Sequence, residues 1–280
     1  MIKASNLQKL DWLVHGFSAR TGGVSRAYGK GDLNLGYTKE DKRADVDQNR
    51  AIFLKALKSS RTPLVTLRQI HSDVIQLVDE MNANRAFIGD ALLTGSPGLL
   101  IAIQTADCLP VIVADPKRKA VGVFHAGWRG TYRRIVEKGV GAMQMHFGSR
   151  AADLVAAIGP GIHECCYEVG EEVRDKFASQ FEYGADLFRE WADSDPVREK
   201  YPMLFLTARA PGHSYGLLPK KILLDLVEAN RRQLLEAGVK AKNIEASPLC
   251  TNCNPDKLFS YRAEKGKTGR MMAVVGIRAR

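Results

Sequence analysis

Two short apolar runs, residues 109–114 and 120–124, stand either side of the turn Asp115-Pro116-Lys117-Arg118. Runs of this length, rich in Val and Ile and broken by Asp-Pro, form a β-hairpin. If Ala114 faces Lys119, partner numbers add to 233 and Cys108 falls opposite His125. Directly opposed Cβ atoms lie roughly 4.5–5.5 Å apart. A thiolate and an imidazole at one end of the hairpin can then share a metal ion or a proton. The bland alternative, a core thiol and a surface imidazole, is the usual fate of such residues, and only the register argues against it.

The segment after His125, Ala126-Gly127-Trp128-Arg129-Gly130, has two glycines in five residues, so its backbone can turn tightly and approach a ligand closely. Thr131 is placed to cap a helix over 132–147, with Ile135, Val136, Val140 and Met143 on its apolar side. Strand, glycine turn and capped helix together make an anion site, and Arg129 adds charge there. A strand over 64–70 delivers His71 at its end, making His71 a candidate third ligand beside Cys108 and His125. Two imidazoles and one thiolate leave a fourth position open, as in catalytic zinc sites. Copper would also bind such a donor set in vitro. Arg20 beside Gly22-Gly23 and Arg68 are further anion candidates, and Asp90 at a strand end is a candidate contact for a ribose or base.

The rest of the chain reads as an α+β fold, a single domain over residues 1–280 with mixed β-sheets flanked by helices. Helices are expected over 45–57, 168–177 and 218–238, and strands over 13–20, 86–94, 99–105, 154–158, 244–247, 258–262 and 271–277. Residues 181–202 read as irregular and acidic. The net charge of +10 is scattered in small clusters without interleaved aromatics, which favours anionic small molecules over nucleic acid. No apolar run approaches the roughly 18 residues of a membrane helix. The first residues lack a secretory h-region, and five cysteines suit reduced thiols of the cytoplasm. Cys250-x-x-Cys253 lacks the His-x-Glu partner of deaminase zinc motifs. Cys165 and Cys166 could join it in a second, structural metal site, or all four could be plain thiols. Nothing in the sequence fixes the oligomeric state.

The words TADCLPV at 105–111 and HAGWRGT at 125–131 resemble the laccase-domain (YfiH-like) family, once called multicopper polyphenol oxidases and now regarded as purine nucleoside phosphorylases. So do HGFSARTGGVS at 15–25, LNLG at 33–36, QIHS at 69–72, GDALLT at 89–94, IGPG at 158–161 with YEVG at 167–170, and FSYR at 259–262 with Gly269-Arg270. The likeness spans nearly the whole chain. It implies a YfiH-like fold, zinc on His71, Cys108 and His125, and phosphorolysis of adenosine, inosine or guanosine and methylthioadenosine, with adenosine deamination. It assigns those three residues to catalysis and leaves Arg20, Arg68, Asp90 and Arg129 as expected contacts for nucleoside and phosphate. Two rivals stand beside it. A cysteine hydrolase would use Cys108 as nucleophile and fits a family role in clearing mis-made peptidoglycan precursors. A copper-dependent polyphenol oxidase needs many paired histidines, and this chain has six isolated ones.

Overall fold

The computed structural model describes residues 1–191 and 221–279. Its centre is the expected hairpin, Leu109–Asp115 paired antiparallel with Ala120–Ala126. The two strands are the middle of a six-stranded sheet, with Val155–Ile158 and Ile244–Ala246 on one side and Ala91–Thr94 and Ile75–Leu77 on the other. A four-stranded sheet runs in the order Leu13–Phe17, Met271–Ile277, Leu99–Thr105, Leu64–Val65. Smaller sheets pair Glu168–Val169 and Phe188–Trp191 with Lys221–Leu224, and Leu67–Arg68 with Phe87–Ile88. No helix among the described residues is long and apolar enough to cross a membrane.

Alternation along unbroken apolar strands explains the layering. Ile112 and Ala114 share a core with Ile101, Ile103, Ala273 and Val275 of the four-stranded sheet. Their neighbours Val111 and Val113 pack on the other face, against Ile135, Val136, Val140 and Met143 of the helix Ile135–Phe147. In Leu99–Thr105, Leu100 and Ala102 turn away from the partner sheet to meet Phe53 and Leu57, at the end of the helix Arg43–Ala56. Antiparallel sheets commonly keep one wet face and so read as polar–apolar alternation. Here the inner strands of both large sheets are buried on both faces, and they read as continuous hydrophobic runs. The helix Ile135–Phe147 comes close to its sheet because residue 139 is glycine. A Cβ there would stand 2.0 Å from the ring of the fully buried Phe124.

Several expectations are corrected. In the hairpin Ala120 faces Asp115, so partner numbers add to 235 and Cys108 lies opposite position 127 rather than His125. Asp115 remains in the strand while its Oδ1 accepts the N–H groups of Lys117 and Arg118 at 2.8 and 3.0 Å. The loop is therefore 116–119, closed by Lys119 in the left-handed region at φ 50°. This slip moves each strand end by one residue and preserves the faces. The helix expected over 132–147 is two helices, Trp128–Tyr132 and Ile135–Phe147, separated by Arg134 at φ 63°. Thr131 caps neither; its buried hydroxyl accepts from Asn230 at 3.0 Å.

Within the span expected as a helix over 218–238, Lys221–Leu224 is a strand, and the helix Leu226–Glu236 begins after it. Asp225 sets the boundary by accepting the N–H of Glu228 at 2.8 Å. Glu168–Val169 is likewise a strand ahead of the helix Glu171–Gln180. The strand expected over 86–94 is interrupted at Gly89-Asp90, the one over 64–70 is two short pieces, and 258–262 is irregular and leads into a turn instead of forming a strand. Residues 192–202 of the acidic segment and 218–220 of the expected helix lie outside the described residues.

Candidate metal centre and active site

Three donors converge from separate elements. His71 follows the strand Leu67–Arg68, Cys108 lies in the turn before Leu109–Asp115, and His125 is near the end of Ala120–Ala126. Their ligand atoms all lie within 4.8 Å of one another, and the two imidazole centroids are 4.9 Å apart. The corrected register explains how Cys108 reaches His125 diagonally. The position opposite Cys108 is Gly127, and a Cβ there would stand 2.7 Å from Cys108 Sγ and 3.6 Å from His71 Cδ2. The glycine clears the space into which the sulfur projects.

Asp90 organises both histidines. Its side chain is fully buried and receives N–H groups from Ile70, His71 and Ser72, the Ser72 hydroxyl at 2.7 Å, and His125 Nδ1 at 2.8 Å. His71 is held in the left-handed region at φ 57°, a conformation that histidine tolerates better than most residues. With Nδ1 facing Asp90, His125 presents Nε2 to Cys108, the carboxylate–histidine arrangement that orients metal-ligating imidazoles. Burial raises the pKa of Asp90, but the His125 and Ser72 hydrogen bonds more than offset it and hold the carboxyl below its ordinary range. Burial also pushes the Cys108 thiol up, yet the charge and hydrogen bond of His125, with those of His71, bring it down to about 6. Burial lowers His125, and the Cys108 thiolate and Asp90 outweigh it, raising it to about 9. The two opposed shifts favour the thiolate of Cys108 beside a protonated His125. A bound cation would take the place of the shared proton.

Asp107, next to the sulfur ligand, adopts φ 91° and is buried. Its Oδ1 accepts the hydroxyls of Thr251 and Ser260 at 2.6 and 2.7 Å, its Oδ2 the Arg262 N–H at 2.7 Å, and its carbonyl the Ile162 N–H at 2.7 Å. A strained backbone persists only where its surroundings over-determine it, and these four bonds do so. Gln69 adds a second tie by exchanging hydrogen bonds of 2.8 and 2.7 Å with the backbone of Gln104, just upstream of Cys108.

The donors open onto a cavity of about 710 Å³, whose lining residues include Trp128, Tyr167, Tyr261, Arg68, Arg262 and Arg270. That volume suits a drug-sized ligand. Tyr167 is kept protonated, since burial and the nearby Cys108 charge raise its hydroxyl.

Of the expected contacts, Arg68 lines this cavity. Asp90 does not; it stands behind the histidines as their positioning residue. Arg20 is occupied as a clamp, ion-paired with Asp32 and Glu264 at 3.1 and 2.8 Å, donating to the Pro255 and Tyr28 carbonyls, and stacked on Phe259. Arg129 is exposed and lies over the Trp128 ring at 4.4 Å, outside the cavity lining. The sequence reading missed Arg262, Arg270, Tyr167 and Tyr261 as site residues. Their only signal was membership of the FSYR, Gly269-Arg270 and YEVG words. Asp107 has no signal of its own beyond its place in TADCLPV, since an Asp in a turn is ordinary.

A family model described as multi-copper polyphenol oxidoreductase laccase matches residues 14–278. The chain belongs to that family. Laccase-domain relatives similar to it include the purine nucleoside phosphorylase of Deinococcus radiodurans, 37% identical over 277 residues, covering 99% of this chain and 92% of the relative. Adenosine deaminase RL5, from an unknown prokaryotic organism, is 31% identical over 278 residues, covering 94% of this chain and 96% of the relative. The fold matches the crystal structure of Bacillus licheniformis hypothetical protein YfiH with a TM-score of 0.79 at 33% identity, covering 96% of this chain and 94% of that one.

Proposed function

We propose that this chain is a zinc-dependent purine nucleoside phosphorylase that also deaminates adenosine. It would act on adenosine, inosine or guanosine, and methylthioadenosine. The observation that carries this reading is the His71–Cys108–His125 cluster, with Asp90 behind it, opening onto a cavity lined by both aromatic and arginine residues. The donor set fits zinc: a thiolate and two neutral imidazoles suit it and leave a position for substrate or water. The family description names copper, but six histidines with no His-x-His pair do not make the ligand sets of a multicopper oxidase. When bound, zinc would supply Lewis-acid assistance and lower the pKa of water.

The chain's own residues have separable tasks. Trp128, Tyr167 and Tyr261 offer faces and edges on which a purine can stack. Arg68, Arg262 and Arg270 hold phosphate and favour its approach to the ribose anomeric carbon. Phosphorolysis breaks the bond between that carbon and the purine nitrogen and forms a carbon–oxygen bond to phosphate. The products are the free purine and ribose 1-phosphate. The departing nitrogen takes up the proton that phosphate gives up on bonding to carbon, and the Tyr167 hydroxyl, held protonated, can donate a hydrogen bond from the cavity wall. Asp90 keeps His125 in one orientation throughout.

A second reading, a cysteine hydrolase, draws on the lowered Cys108 thiol beside His125. Chelation separates the two. Phosphate-dependent release of adenine that is lost on chelation and restored by zinc supports the phosphorylase. Base release indifferent to phosphate, or activity that survives chelation and ends on alkylation of Cys108, overturns it.

A further inference from the structure

Four of the five cysteines form a cluster separate from the His–Cys–His centre. The Sγ atoms of Cys165, Cys166, Cys250 and Cys253 all lie within 4.8 Å of one another, with Cys166–Cys253 at 3.3 Å and Cys165–Cys253 at 3.6 Å. The first two sit in the turn after Gly159-Pro160-Gly161, the others in the loop leaving Ile244–Ala246. A tetrahedral zinc ion with bonds of about 2.3 Å to sulfur has S···S edges of about 3.8 Å. The observed spacing brackets that edge for the four sulfurs together.

The backbone is shaped accordingly. Cys250 is bridged to Gly161, and the Thr251 N–H donates to the Gly161 carbonyl at 2.9 Å. Cys166 N–H donates to the His163 carbonyl at 3.0 Å, and Asn254 Nδ2 to the Cys250 carbonyl at 2.9 Å. Cys165 and Cys253 are exposed, while Cys250 is buried. An ion can therefore enter from solvent.

We infer that Cys165, Cys166, Cys250 and Cys253 form a second metal site, a closed tetrathiolate centre that binds one zinc ion and staples the 161–167 loop to the 250–254 loop. Four protein ligands leave no open position, which marks a structural site rather than a catalytic one. Its place in the fold gives it a task. The stapled loops carry Ile162 and Tyr167 of the cavity wall and Thr251, which holds Asp107 beside Cys108. The inference goes beyond the proposed phosphorylase activity and does not depend on it.

The test is zinc stoichiometry of protein purified under reducing conditions without added metal. The wild type, the double variant Cys250→Ser/Cys253→Ser and the double variant His71→Ala/His125→Ala are compared. The expected result is two equivalents in the wild type and one in each double variant. One equivalent in the wild type that survives Cys250→Ser/Cys253→Ser and vanishes in His71→Ala/His125→Ala overturns the second site and leaves the first intact. The converse pattern would sink the catalytic-metal reading and spare this one. Should the cysteine variant fold poorly, native alkylation of the wild type decides. Cys165, Cys166, Cys250 and Cys253 are expected to resist a thiol reagent until a chelator is added and then to react together. Immediate reaction, or resistance that persists in denaturant until a reductant is supplied, would show free thiols or disulfides and refute the centre.

Discussion

Gly127→Ala isolates the geometry of the proposed catalytic centre in a single methyl group. The backbone at 127 is extended, so alanine is conformationally allowed, and the effect is purely one of space. The new Cβ would stand 2.7 Å from Cys108 Sγ, and ordinary contact begins at 3.4 Å, so the sulfur has to retreat by about 0.7 Å. Metal–ligand distances tolerate only about 0.2 Å. Cys108 is a short side chain that relieves the clash by rotating about χ1, at a cost of order 1 kcal/mol. Global stability should fall only by about that amount, while zinc affinity should fall by at least 100-fold, since weaker perturbations outside the ligands already cost 10–100-fold. Competition with a chromophoric chelator measures the affinity, and denaturant melts of the apo protein measure the stability. Wild-type zinc affinity in Gly127→Ala would refute the reasoning, because the sulfur would then not lie where Gly127 makes room for it.

Asp90→Asn removes the charge behind His125 and places an amide among five donors, so zinc affinity should drop 10–100-fold with unchanged KM for phosphate; isothermal binding and steady-state kinetics check both. Arg262→Ala should raise the KM for phosphate several-fold, whereas Arg129→Ala, outside the cavity, should leave it unchanged; the reverse outcome would move the anion site to the exterior. His15 is buried, and burial lowers its pKa from 6.5 to about 4, Lys3 adding to the effect. Its neutral form is favoured in the fold, so its contribution is complete above about pH 6.5. That contribution is lost as pH falls toward 4, where the unfolded chain is already protonated, an effect of about 3 kcal/mol. Unfolding free energies of the wild type minus His15→Gln across that window should show this slope, and parallel curves would sink it.

Local pattern made the buried strands, the hairpin and the nearness of Cys108 to His125 legible, whereas His71 joined them as a ligand chiefly through the family likeness. The register was missed by one residue per strand because two four-residue loops fit the same words, and only the Asx turn at Asp115 decides between them. Arg134 in the left-handed region is invisible to propensity, so one helix was read where there are two. The boundary at Asp225 did carry a signal, Asp225-x-x-Glu228, a capping pattern set against an apolar stripe that runs past it. Arg20 reads as a phosphate contact because a cation beside a glycine turn suggests anion binding, and Asp90 as a polar contact for a ribose or base because it sits at a strand end. Their actual partners, Glu264 and His125, are far away in the chain.

Asp107 also bears on how the molecule comes to be finished. All three ligands of the first centre lie between residues 71 and 125, yet the carboxylate beside the sulfur is held by Thr251, Ser260 and Arg262. A polypeptide ending before residue 250 would own every donor atom and still lack what fixes their arrangement. On the proposed reading, tight zinc uptake would therefore have to wait until the last portion of the chain has found its place.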